Sequence, residues 1–287
     1  MSSEEGFCPI PGTEIKLAYK VLSPTSSRPV VMLSNSLSSS YDYLWTEFID
    51  HFRDKYTIVL YDQRFHGKSP LVDGFDYFGK GNSYQDFTND VIVLLDHLGI
   101  ASLHAFVGLS MGATTALFLK AKYPTRVGYI VAASSALRSP PRPAPGQVDA
   151  FGERLDFARA NGMKALAPKT MERWFPGESG ASFLKAHPER EAQLLQMLET
   201  TPVEGMGAAI RAIQDYDLTP ALEDINTRGH GRQVLLFAGL LDGPVMRETM
   251  VMKVIGGTNL EMYGDCGHMV NIQQSANFNE RVADFLD

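Results

Sequence analysis

Short apolar, β-branched runs recur along the chain, with helix-period segments between them. "PVVMLS" (29–34), "YTIVLYD" (56–62), "LHAFVG" (103–108), "VGYIVAA" (127–133) and "QVLLFAG" (233–239) are each one strand long and apolar on both faces. That pattern suits strands of a sheet covered on both sides. "EIKLAYKVL" (14–22) alternates and predicts an early strand, and "NLEMYG" (259–264) is a weaker late example. Ser83 has the chemistry of an N-cap, with Asp86 three residues on; Tyr84, Phe87, Val91, Leu94, Leu95 and Leu98 then recur at helical spacing. "MGATTALFLKAKYP" (111–124) follows one strand, and "SANFNERVADFLD" (275–287) ends the sequence. Strands alternating with helices predict βαβ units with right-handed crossovers. The expected fold class is α/β, a mostly parallel sheet flanked by helices.

From about Ser139 to Asp217 the alternation stops. This stretch opens with "SPPRPAPG", continues through "GERLDFARANGMKAL" and "PEREAQLLQMLET", and ends near "AAIRAIQDYDLTP". Its Pro/Gly-rich start and helical character predict an insertion above the sheet, a helical cap over 139–217, with the core formed by 1–138 and 218–287. The alternative is a set of extra crossover helices with no part in binding.

Composition narrows the classes of function. The chain has 287 residues, 44% apolar and 21% charged, which suits one α/β domain with an insertion. A net charge of −7 without a Lys/Arg block gives no reason to expect nucleic acid or an anionic membrane as partner. Cys8 and Cys266 are too few and too far apart for a disulfide framework or a metal-ligand set. "MSSEEGFCPI" lacks the apolar segment of a signal peptide, and no apolar run approaches the roughly 20 residues that span a bilayer. The expectation is a cytoplasmic protein. Monomer and homodimer both remain open.

Gly108-Leu109-Ser110-Met111-Gly112 fits Gly-x-Ser-x-Gly with an apolar strand before it and a helix after it. On that sharp turn a serine hydroxyl stands above the sheet, and flanking side chains would collide with strand and helix. The N–H of Met111 then points to where an oxyanion would form, at a helix N-terminus. A serine needs a base to take its proton, and the base needs an orienting acid. The order Ser, acid, His expected of such a turn is met by Asp242, past "LLFAG", and His268, past "NLEMYG". Asp265 is the rival acid, although it lies close to His268 in sequence. His66, after another strand, is a rival catalytic histidine, but bracing of the site floor is the preferred reading. Cys266 is read as packing. A second oxyanion donor is expected in "LSNSLSSS" (33–40): the amide of Ser36, with Leu37 walling the pocket, unless this is a serine-rich surface turn.

These residues are similar to those of the α/β-hydrolase superfamily across nearly the whole chain, and more narrowly the chain resembles the 3-oxoadipate enol-lactonases. The shared features are "LSNSL" with Trp45 downstream, "YDQRFHGKS", "GLSMG", and a cap carrying "GMKAL", "ERWF" and "TPVEGMGAAIRAIQDYDL". The resemblance implies an ester or lactone substrate, a Ser110–His268–Asp242 triad, Ser36 and Met111 as oxyanion donors, and no metal or organic cofactor. It departs at Phe65-His66-Gly67, where Gly-His-Gly is usual, at Ala113 and Ser38, where glycines are expected, and in the proline-rich "RSPPRPAPG". Trp174, Met269 and Arg138 are candidate substrate contacts; Trp174 serves equally well as cap core, and Arg138 and Arg173 are candidates to pair with a substrate carboxylate, although a surface or cap-bracing salt bridge is the preferred reading of each. Two rival functions use the same residues: a non-hydrolytic or C–C bond-cleaving enzyme of secondary metabolism, and a small-molecule receptor on a hydrolase scaffold.

Overall fold

The computed structural model describes residues 2–24, 27–140 and 149–287. Residues 141–146 of the proline-rich run lie outside the described residues. The chain begins with β1 (Ser3–Pro9), β2 (Lys16–Leu22) and β3 (Val30–Ser34), followed by α1 (Tyr41–Leu44), α2 (Thr46–Phe52) and β4 (Thr57–Tyr61). Next come α3 (Tyr84–His97), β5 (Leu103–Leu109), α4 (Met111–Lys122) and β6 (Val127–Ala133). Among the described residues five helices then follow without a strand: α5 (Ala150–Asn161), α6 (Met163–Trp174), α7 (Gly177–Ala186), α8 (Pro188–Thr200) and α9 (Val203–Ile213). The chain finishes with α10 (Thr219–Thr227), β7 (Val234–Gly239), α11 (Pro244–Gly256), β8 (Asn259–Tyr263), α12 (Val270–Gln273) and α13 (Ser275–Leu286).

The strands form one sheet in the order β1-β2-β4-β3-β5-β6-β7-β8. β3 through β8 run parallel to their neighbours, while β2 pairs antiparallel with β4 and β1 antiparallel with β2. The apolar runs of the sequence become strands buried on both faces, because side chains alternate across the sheet. Val31, Leu33, Ile58, Leu60, Val107 and Phe237 face one core with Phe48 and Phe52 of α2 and Phe278 and Val282 of α13. Met32, Val59, Phe106, Ile130 and Leu236 face the other, with Val91 and Leu94 of α3, Leu117 of α4 and Ile225 of α10. Each fully buried aliphatic side chain contributes roughly 1.5–3 kcal/mol of transfer free energy. β1 has no counterpart among the predicted strands. Along "SEEGFCP" only Cys8 is fully buried, so an edge strand of polar composition leaves no apolar signature.

Ser83 caps α3: its side chain accepts from the Asp86 amide, and the Asp86 carboxylate accepts from the Ser83 amide. α4 is buried nearly all round, packed between the strands β5 and β6 and the helices α3 and α10. Where the helical stretch leaves and rejoins the sheet, the two chain segments are tied together. Arg138 bridges Asp217, the Leu218 amide donates to the Leu137 carbonyl at 2.8 Å, and the Ser139 amide to that of Tyr216 at 2.9 Å. Among the described residues no helix is long and apolar enough to cross a membrane.

Candidate active site

Ser110 sits between β5 and α4 with φ 54° and ψ −110°, a conformation that L-residues rarely adopt. The flanking glycines allow the turn. A Cβ on Gly108 would meet the backbone of Gly112 and Ala113, and one on Gly112 would meet the Ser34 carbonyl. Strand and helix therefore cross at the serine closer than any side chain permits. The Met111 amide opens α4 beside it, with no intrahelical acceptor, as first-turn amides require.

Asp242 lies on the turn after β7, where its amide donates to the Gly239 carbonyl at 3.1 Å. Its Oδ2 is 2.8 Å from His268 Nδ1, with both side chains almost fully enclosed. A neutral imidazole donating from Nδ1 to this carboxylate keeps Nε2 free as a base. Three further contacts fix the histidine. Its amide donates to the Trp174 carbonyl at 3.0 Å, its carbonyl accepts the Ser134 hydroxyl at 2.7 Å, and Gly267 lies so near Pro176 and the Trp174 carbonyl that no Cβ would fit. Asp265 takes no part: it is exposed, and its carbonyl accepts from Ser179 and Gln273.

The loop after β3 is held by a buried network. Asn35 donates to the Tyr61 carbonyl at 2.9 Å and to Asp62 Oδ1 at 3.2 Å, and accepts from Trp45 Nε1 at 3.0 Å. Gln63 Nε2 donates to the Asn35 carbonyl at 2.7 Å. Asp62 also accepts the amides of Tyr41 and Lys68, each at 2.9 Å, and burial pushes its carboxyl pKa up to about 7. Next in this loop are Ser36 and Leu37, whose side chains line the same space as Ser110. His66 is fully buried beneath the network, with Nδ1 2.9 Å from the Arg64 carbonyl, and burial lowers its pKa. It does not reach the cavity that Ser110 opens into.

That cavity measures about 1000 Å³, and Ser36, Leu37, Ser110, Met111, Arg138 and His268 all line it. Two expected contacts do not. Trp174 is fully buried in the core cluster that also holds Met171, Leu194 and Met197, with no hydrogen-bond partner for its Nε1 among the described residues. Only its main chain serves the site, through the His268 amide. Met269 is likewise fully buried in that cluster: neighbouring side chains at this helix start diverge, and the one after His268 turns into the core. The cavity also takes further residues, of which only Arg173 was singled out in the sequence. Asn82 has both side-chain polar atoms buried without a hydrogen-bond partner among the described residues. Tyr216 donates to the Ala136 carbonyl at 3.2 Å and packs edge-on against Tyr84, and Ser134 stands at positive φ after β6. Arg154 and Arg173 contribute from α5 and α6. The positive φ of Ser134 needs coordinates to see; a residue ending a central strand is the hint the sequence offered.

Comparison with known proteins agrees with this geometry. The family model described as the alpha/beta hydrolase fold matches residues 29–275. The chain is 30% identical to 3-oxoadipate enol-lactonase 2 of Acinetobacter baylyi over 263 residues, covering 90% of this chain and 88% of that protein. It is 28% identical to 3-oxoadipate enol-lactonase 1 of the same organism, over 94% of this chain and 92% of that one. The crystal structure of the enol-lactonase from Burkholderia xenovorans superposes with a TM-score of 0.81 at 26% identity, covering 98% of this chain and 99% of the other. The chain belongs to the α/β-hydrolase family and is related within it to the 3-oxoadipate enol-lactonases.

Proposed function

We propose that the protein is a serine hydrolase that opens a lactone, or cleaves a related carboxylic ester, through an acyl-enzyme. The observation that carries this reading is a single cavity lined by Ser110, in its strained turn, and by His268, whose Nδ1 lies 2.8 Å from Asp242. The relation to enol-lactonases favours the lactone. His268 Nε2 takes the Ser110 proton as Oγ attacks the carbonyl carbon, and Asp242 stabilises the imidazolium. The amides of Met111 and Ser36 receive the developing oxyanion; one such donor is typically worth about 3 kcal/mol. Collapse breaks the ring C–O bond, and His268 returns the proton to the leaving oxygen. Water, deprotonated by His268, then attacks the acyl-enzyme and releases the acid with Ser110 restored. Helices α5 to α9 form the cap over this chemistry, Leu37 packs against the substrate, and Arg138 stands at the rim as a polar contact.

Intact mass after treatment with a fluorophosphonate tests the reading. A single adduct is expected on the wild type and none on Ser110→Ala, together with loss of p-nitrophenyl butyrate hydrolysis by at least about 10³-fold in the variant. An unmodified wild type that also fails to turn over the ester would overturn it.

A further inference from the structure

Arg154 and Arg173 project into the cavity from neighbouring helices of the segment above the sheet, α5 and α6. Arg154 Nε donates to the Ala150 carbonyl at 3.0 Å, and its guanidinium stacks over Phe151 at 4.2 Å, which fixes the plane and leaves the terminal nitrogens as its free edge. Both line the same cavity from helices that pack against each other, so like charges share that wall and repel. Burial, and then that repulsion, brings Arg154 down to about 9, and burial lowers Arg173 as well. Arg173 is an exposed residue that lines the cavity, so its guanidinium is accessible to a ligand there.

No carboxylate among the described residues forms an ion pair with either arginine. The two that come nearest electrostatically are already committed. Asp149 caps α5 by accepting the amides of Phe151 and Gly152 at 3.1 and 3.0 Å, and it accepts Gln214 Nε2 at 3.1 Å. Asp242 is bonded to His268. The other cavity arginine on the helical segment, Arg211, is turned to the Phe78 carbonyl. Two cations placed side by side in a partly desolvated wall are costly unless the cavity supplies negative charge. A single carboxylate satisfies one guanidinium fork; two adjacent forks match two anionic charges on one group.

We propose that Arg154 and Arg173 together form an anion subsite that selects substrates carrying a doubly charged group, either a geminal pair of carboxylates or a phosphoryl group, away from the bond being cleaved. This rests on the cavity being the substrate site, and it adds the class of substrate. A volume of about 1000 Å³ leaves room for such a group beside the reacting carbonyl.

Calorimetric titration of the full-length Ser110→Ala protein at about pH 8, where the anions are ionised, separates the outcomes. The probes are butyrate with one charge, ethylmalonate with two carboxylates on one carbon, and propyl phosphate with its two charges on one phosphoryl group. At least one dianion is expected to bind about tenfold tighter than butyrate. The tighter of the two names the source of the charge. Arg154→Met and Arg173→Met, each in the Ser110→Ala background, are expected to abolish that preference. Arg173→Lys, which keeps the charge without the fork, is expected to retain part of it. Butyrate binding as tightly as both dianions, no binding by any probe, or a preference that survives both Met substitutions would each overturn the subsite. Ester hydrolysis by the wild type is read separately, so failure of the serine mechanism and failure of the subsite are distinguishable.

Discussion

Phe65 and Ser38 both have left-handed backbone, with φ near 65° and 60°, and both stand where the family resemblance led to an expectation of glycine. Substitution by glycine has opposite expected signs at the two. Phe65 is fully buried, with ring centroids of Phe75 and Tyr77 at 4.7 and 4.9 Å, so Phe65→Gly loses about 3–5 kcal/mol of packing and regains only about 1 kcal/mol of backbone strain. Ser38 is joined to Thr201 through its carbonyl, which glycine keeps, so Ser38→Gly is expected to stabilise by up to about 1 kcal/mol. Urea melts of the two variants check the pair, and a stabilised Phe65→Gly would show that the aromatic contacts contribute little. At this scale Ser110, His268 and Asp242, the proposed nucleophile, base and acid, could be singled out in the sequence because each follows a strand. Side-chain direction was not. Trp174 and Met269 adjoin functional motifs and still turn into the core, whereas Arg154 reaches the cavity from the middle of a helix that carries no motif.

Among the elements, the strands were the most legible part. Burial on both faces leaves four or five consecutive apolar residues, which "TIVLY" and "VLLFAG" display and the exposed edge β1 does not. The helices over the site were legible as helices, but their rotation about their own axes, which decides what enters the cavity, depends on packing between residues far apart in sequence. Packing of this kind also holds α3 to the loop after β4. Arg64 Nε and Nη2 donate to the two oxygens of Asp90 at 2.5 and 2.7 Å in a buried bidentate pair. Arg64→Met removes the partner and leaves Asp90 buried, an expected loss of about 3–5 kcal/mol; Arg64→Met with Asp90→Leu removes both charges and is expected to recover most of it. Chemical denaturation of the wild type, the single and the double variant forms the test. A double variant as unstable as the single would mean that the pair does more than neutralise itself.

For the molecule as a whole, the pH dependence of folding follows from how the sheet, α1 and the loop after β3 share one carboxyl group. Asp62 stands at the end of β4 and ties together Asn35, the start of α1 and the Lys68 amide, so its protonation state is coupled to several parts of the core at once. Burial is the largest influence on it; the Tyr41 and Lys68 amides and the Lys68 charge oppose that effect, and Asp42 adds to it. The folded pKa of about 7 lies above the ordinary value of 3.8. Between those two values the folded protein holds a proton that the unfolded chain has released. This contribution is therefore fully present below about pH 4 and declines as pH rises through 7, at up to about 1.4 kcal/mol per pH unit. The direction is opposite to that of a salt-bridged surface aspartate. Melting temperatures of the wild type are expected to fall between about pH 5 and pH 7.5 relative to those of Asp62→Asn, which has no proton to lose there, and the difference should level off above that range. A difference between wild type and variant that stays flat across this range would mean that the three donated hydrogen bonds outweigh burial and keep Asp62 ionised throughout.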